Sequence, residues 1–148
     1  MQVFIFFLQT FKNSKFLVPN MVLVCGVEEA GRGPAIGPMV MCGLVVKEED
    51  IPKLVSLGVK DSKLLTPRTR ERLFDEIKKI AKSHKIVKLS PKEIDAIVDG
   101  PKASNLNWLE AVTSADLINS LKPDKVILDC PSPNLGAYKK YVFKMLDN

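Results

Sequence analysis

The sequence predicts an α/β fold in which helices flank a mixed central sheet. Two apolar runs, and the alternation that follows them, carry that expectation. Residues 22–27, VLVCGV, are continuously apolar rather than alternating, as in a central strand covered on both faces. Residues 39–46, MVMCGLVV, form a second such run after only a short Gly/Pro-rich turn, which favours antiparallel pairing of the two. Behind them helix-like and strand-like segments alternate to the end of the chain, with no linker, repeat or low-complexity tract between them.

The first strand runs into Glu28 and Glu29, and the second ends at Lys47, Glu48, Glu49 and Asp50. Thr66 is the expected N-cap of a helix with Pro67 at its first position, and Leu73, Phe74, Ile77, Ile80 and Ala81 form its sheet-packing face. The other face interleaves Arg68, Arg70, Arg72, Lys78 and Lys79 with Glu71, Asp75 and Glu76. It reads as solvated surface, with a nucleic-acid contact as the alternative. The only histidine, His84, falls in a Lys-rich helix end, where it complements the helix C-terminus; nothing beside it resembles a nucleophile's partner.

Residues 85–89 form a short strand. Ser90, Pro91, Lys92 and Glu93 make a capping box that opens a brief helix, ended by Asp99, Gly100 and Pro101. In the longer helix that follows, Leu106, Leu109, Val112, Leu117 and Leu121 form a core-facing stripe. Trp108 reads as packing at its start rather than as a stacking platform, and Asn105 and Asn107 are candidate backbone contacts. The last strand, 125–128, carries Asp129 at its C-terminal end, where open α/β sheets place ligand sites, and Pro131 to Asn134 turn the chain into a final helix.

The chemistry concentrates at residues 27–38, VEEAGRGPAIGP. Two adjacent anions at the rim of a core repel and lose hydration, so Glu28 and Glu29 call for a compensating cation, an Arg or a metal. Hard divalent ions such as Mg2+ or Mn2+ take carboxylate oxygen, and Gly31, Gly33 and Gly37 let backbone N–H groups approach a phosphate. The alternative is that Glu28 and Glu29 begin a solvated turn. The loop lacks the Gly-Lys-Ser/Thr ending of a P-loop and the Gly-x-Gly-x-x-Gly spacing of a dinucleotide site. If the last strand lies beside the first, Asp129 joins the two glutamates; otherwise it caps the turn behind it.

GVEEAGRGPAIGPMV resembles the first signature of ribonuclease HII, the type 2 ribonuclease H. VKDSKLLTP at 59–67 resembles that family's second block, NLNWLE at 105–110 an archaeal-type segment, and KVILD at 125–129 the strand supplying its third acid. The resemblance implies a ribonuclease H-like fold. It also implies metal-dependent endonuclease cleavage of the RNA strand of RNA–DNA hybrids, with cutting 5' to ribonucleotides in DNA, leaving 5'-phosphate and 3'-hydroxyl ends. By motif position Glu28, Glu29 and Asp129 would hold Mg2+ or Mn2+ and carry catalysis by a two-metal route. Gly31, Arg32 and Gly33 would read the 2'-hydroxyl beside the scissile phosphate, and Lys60, Asp61, Ser62 and Lys63 would lie along the nucleic-acid backbone.

The chain departs from the family pattern in two places. Position 28 ordinarily holds Asp, and Glu is longer by one methylene at a site where octahedral Mg2+ tolerates misplacement poorly. The chain also stops at Asn148, before the segment where the family places a fourth metal-binding Asp and a substrate-stacking Tyr, so the resemblance implies a domain whose C-terminal part is missing. A truncated remnant that binds nucleic acid without turnover is the competing expectation; the related type 3 enzyme ranks below both.

With 148 residues, 46% of them hydrophobic, the chain can bury one core of ordinary size, and a net charge of +5 suits a polyanionic partner. The expected domain is 21–148. Residues 1–20 read as a non-structural or misassigned extension: VFIFFL is too short to span a membrane, and it lacks a signal peptide's basic start and cleavage site. Cys25, Cys42 and Cys130 are an odd set in or beside apolar strands, which argues for reduced thiols in the cytoplasm, with no disulfide and no zinc site. The expected state is a monomer away from membranes.

Overall fold

A computed structural model of the chain describes residues 8–9, 21–32, 37–99 and 105–147. Five strands form one sheet: β1 (Leu8–Gln9), β2 (Leu23–Ala30), β3 (Met39–Lys47), β4 (Ser83–Leu89) and β5 (Lys125–Leu128), in the order β1-β5-β2-β3-β4. The helices are α1 (Ile51–Ser56), α2 (Pro67–Ile80), α3 (Pro91–Val98), α4 (Leu106–Leu121) and α5 (Leu135–Lys144). The sheet is mixed, as expected. β2 pairs antiparallel with β3 and β3 with β4, whereas β5 returns through the helices to lie parallel to β2.

α4 lies across one face of this sheet. That face presents Cys25 and Val27 of β2, Val45 of β3, and Val126 and Leu128 of β5, all buried. Gly43 lets the helix come close: a Cβ there would meet Leu121 Cδ1 at 2.7 Å. With the sheet on one side and α3 and α5 on others, α4 buries far more than one stripe, including Ala111, Thr113, Ser114, Ala115, Leu117 and Ile118. Thr113 is accommodated by donating its hydroxyl to the Leu109 carbonyl at 2.9 Å. The opposite face is less covered among the described residues, and Ile86 on β4 is 57% exposed.

The capping chemistry expected from the sequence is present. Thr66 accepts from the Thr69 N–H at the start of α2, and Ser90 and Glu93 form the reciprocal capping box of α3. Asn105 caps α4 by accepting from the Trp108 N–H at 3.2 Å through Oδ1. Trp108 packs against Tyr141 with ring centroids 4.0 Å apart, in keeping with a packing role.

Four details differ from the expectation. Phe74 is 58% exposed beneath the Lys78 ammonium, because only Leu73 of α2 is fully buried. Val112 is 44% exposed, since α4 turns its crowded sides elsewhere. His84 stands exposed in β4, past the end of α2, and caps nothing. Leu8–Gln9, within the stretch read as non-structural, pairs antiparallel with Lys125 and Val126 on the open edge of β5. The rest of 1–20 lies outside the described residues.

α4 ends with Lys122 in the left-handed region, φ 50°, a conformation in which a side chain costs about 1–2 kcal/mol. Lys122→Gly is therefore expected to stabilise the fold by about 0.5–1 kcal/mol, read as a higher urea midpoint with unchanged slope.

Candidate functional site

β2 and β5 run in the same direction, and β2 continues three residues past the end of β5. Val27 is level with Leu128, so Asp129 leaves the end of β5 beside Glu28, which stays in β2 opposite Cys42 of β3. Glu29 is next along β2. The three residues bring carboxylate oxygens within 4.8 Å of one another, although Glu28 and Glu29 are neighbours in a strand. Asp129 accepts the Cys130 N–H at 2.8 Å through Oδ1, which ties its carboxylate to the turn before α5.

The cluster is only partly compensated: the Arg32 charge acts on Glu29 and the Lys63 charge on both glutamates, yet both carboxyls stay raised. Burial, then the neighbouring Glu29 and Asp129, push the Glu28 carboxyl above its ordinary range; burial, then Asp129, do the same to Glu29. Lys63 acts on both glutamates only weakly. Arg32 lies next to Glu29 but is engaged elsewhere: its Nε donates to Glu110 Oε1, and its Nη2 to Asn107 Oδ1 at 2.6 Å. Three converging carboxylates, none in an ion pair among the described residues, offer oxygen donors of the kind a hard divalent ion takes. The residues fit Mg2+ or Mn2+.

The loop behind the cluster depends on Gly31. Its φ is 83°, and a Cβ would stand 2.5 Å from the Pro38 carbonyl oxygen, so only glycine lets β2 turn here against the start of β3. Gly33 lies outside the described residues. Lys60, Asp61, Ser62 and Lys63 are exposed, and Asp61 accepts the Lys63 N–H at 2.9 Å to cap the 3-10 turn Ser62–Leu64. Among these four, Lys63 is the one whose charge reaches the carboxylates.

Sequence reasoning missed Glu110. It is 2% exposed on α4, with one oxygen on Arg32 and the other, Oε2, without a hydrogen-bond partner among the described residues. A half-satisfied buried carboxylate costs on the order of 1–3 kcal/mol. Burial pushes its pKa up while Arg32 pulls it down, and the Glu29 and Asp129 charges push it further up. The available signal was an acid set among the apolar residues of a helix that is otherwise core, in a block already singled out as NLNWLE.

A mixed sheet with helices packed on it, and an acidic cluster where β5 ends beside the parallel strand β2, define a protein of the ribonuclease H-like class. The family model described as ribonuclease HII matches residues 25–141, and the chain belongs to that family. It is 43% identical to ribonuclease HII of Thermococcus onnurineus over 126 residues, covering 84% of this chain and 53% of that protein. It is 48% identical to ribonuclease HII of Pyrococcus abyssi over 108 residues, covering 72% of this chain and 46% of that one. Among solved structures, the ribonuclease H2 of Pyrococcus horikoshii superposes with a TM-score of 0.76 at 36% identity, over 86% of this chain and 59% of that one. The chain thus spans about half the length of the curated relatives it matches.

Proposed function

We propose that this chain is an endonuclease that hydrolyses the RNA strand of RNA–DNA hybrids and cuts 5' to ribonucleotides embedded in DNA, with Glu28, Glu29 and Asp129 as its metal ligands. The observation that carries the reading is the convergence of these three carboxylates in a chain of the ribonuclease HII family. Glu28, Glu29 and Asp129 would hold divalent ions, which when bound would supply water activation and charge neutralisation at the phosphate and the leaving 3'-oxygen. The chain's own residues do the rest. Gly31, Arg32 and Gly33 meet the ribose 2'-hydroxyl, the group that separates RNA from DNA, and hold the scissile phosphate against the carboxylates. Lys60 and Lys63 add salt-dependent affinity for the backbone, in keeping with the net charge of +5. Asp61 and Ser62 shape the turn that presents them.

A second reading is binding without turnover, and Glu28 favours it, because its extra methylene alters ligand reach at a site intolerant of misplacement. Incubation of an RNA–DNA hybrid labelled on the RNA strand, with Mn2+ or with EDTA, separates the two. Metal-dependent cutting to 5'-phosphate ends supports the enzyme, whereas retained binding without products supports the second reading.

Metal binding has a consequence for stability. A carboxyl whose folded pKa is raised makes the folded state hold protons more tightly than the unfolded chain does. The contribution of Glu28 and Glu29 is therefore fully favourable below their ordinary value of 4.5 and is lost as pH rises through the higher folded values. At neutral pH the cluster destabilises the metal-free chain, and a divalent ion removes that penalty. Mn2+ at about ten times its dissociation constant is expected to add about 1.4 kcal/mol, a rise in Tm of roughly 3–6 °C at pH 7.5. The rise should shrink toward pH 5, where protons compete for the same oxygens.

A further inference from the structure

Arg32 stands beside the carboxylate cluster, yet its bonds run the other way. Nε and Nη2, one edge of its guanidinium, donate to Glu110 Oε1 and Asn107 Oδ1, two side chains one turn apart on α4. Nη1 forms no hydrogen bond among the described residues, and the side chain is 38% exposed. Glu110 is buried in the helix that packs on the sheet, so it is a fixed anchor rather than a mobile surface partner.

A guanidinium this close to Glu29 has an alternative place to go. Without acceptors on α4 it would turn toward Glu28, Glu29 and Asp129, where it would neutralise the charge that a metal ion requires. We infer that Glu110 and Asn107 are positioning residues that hold the Arg32 guanidinium aside from the Glu28–Glu29–Asp129 cluster and keep its free end directed to the anionic substrate. Both consequences follow from one bracket. The cluster stays open to a divalent ion, and Arg32 stays available to a phosphate beside the 2'-hydroxyl. The inference rests on the metal-centre reading above and adds to it the device that keeps an arginine from closing that centre.

The test measures Mn2+ affinity by titration calorimetry, and affinity for two DNA duplexes, one with a single ribonucleotide and one without, in Ca2+. It uses the full chain as wild type, Glu110→Gln, Asn107→Ala, Arg32→Ala and the double variant Glu110→Gln/Arg32→Ala. Replacing the charged acceptor by a neutral amide, which holds the guanidinium less strongly, is expected to weaken Mn2+ binding and ribonucleotide-duplex binding about tenfold in Glu110→Gln, with a smaller loss in Asn107→Ala. Removing Arg32 from Glu110→Gln should restore Mn2+ affinity to the level of Arg32→Ala, while duplex discrimination stays lost. A merely structural role for Glu110 would not produce that rescue.

Folded Glu110→Gln and Asn107→Ala with unchanged Mn2+ and duplex affinity would overturn the inference, as would a double variant no better at binding Mn2+ than Glu110→Gln alone. If Glu110→Gln fails to fold, Asn107→Ala and its double with Arg32→Ala carry the same comparison from a less buried site. A wild-type chain that binds neither Mn2+ nor the duplex would instead remove the metal-centre reading, and the inference with it.

Discussion

Asp129→Asn is expected to lower metal-dependent cleavage by at least about a hundredfold while leaving the fold intact, because it removes a ligand charge from a centre whose ion supplies several kcal/mol of transition-state stabilisation. The geometry makes the substitution clean. Asn is isosteric with Asp, and its Oδ1 can still accept the Cys130 N–H that orients the side chain at 2.8 Å. Removing one of three mutually repelling carboxylates also relieves Glu28 and Glu29, both raised in part by the Asp129 charge. The metal-free variant should therefore melt no lower than wild type, and its Mn2+-dependent rise in Tm should vanish. Loss of cleavage together with a large loss of metal-free stability would mean that Asp129 acts through the fold instead.

Gly31→Ala is expected to be nearly as damaging by a different route. The left-handed φ of 83° costs an L-residue about 1–2 kcal/mol, and the new methyl would stand 2.5 Å from a backbone oxygen, which cannot swing aside as a side-chain end can. The loop must shift relative to β3, carrying Arg32 and the backbone groups that meet the 2'-hydroxyl. A displacement of about 1 Å at such a point can cost on the order of a hundredfold in rate. Because the clash lies at the exit of β2 rather than under α4, the core should survive. The signature is a falling kcat/KM for ribonucleotide-containing duplexes with a near-native circular dichroism spectrum. A rate within about twofold of wild type would show that the loop tolerates displacement and that its backbone makes no contact requiring such accuracy.

What was legible in the sequence was local and strongly patterned. The apolar runs of β2 and β3, the capping box at Ser90, the Thr66–Pro67 helix start and the strand before Asp129 each rest on neighbouring residues, and each stands where expected. The meeting of Asp129 with Glu28 and Glu29 depended on one long-range fact, that β5 lies next to β2; the family resemblance implied it and the parallel register supplies the geometry.

The losses have physical causes. Periodicity marks α4 as amphipathic, but the helix is enclosed by the sheet, α3 and α5, so polar Glu110 and Ser114 are buried and Val112 is not. α1 is too short to show a period. His84 sits between two Lys residues that read as a helix end, and its place in β4 is set by pairing with Leu44 across the sheet, a contact no local pattern reveals. Arg32 was read as facing substrate alone. Its bond to Glu110 joins residues 78 positions apart, beyond any local signal.

The most direct measurement of the central claim is cleavage of an end-labelled DNA duplex containing one ribonucleotide, with Mg2+, Mn2+ or EDTA, by the wild-type chain and by Asp129→Asn. A single cut 5' to the ribonucleotide is expected in either metal, with none in EDTA and none with the variant. Cutting that persists in EDTA, or that Asp129→Asn leaves unchanged, would contradict a metal centre built from Glu28, Glu29 and Asp129.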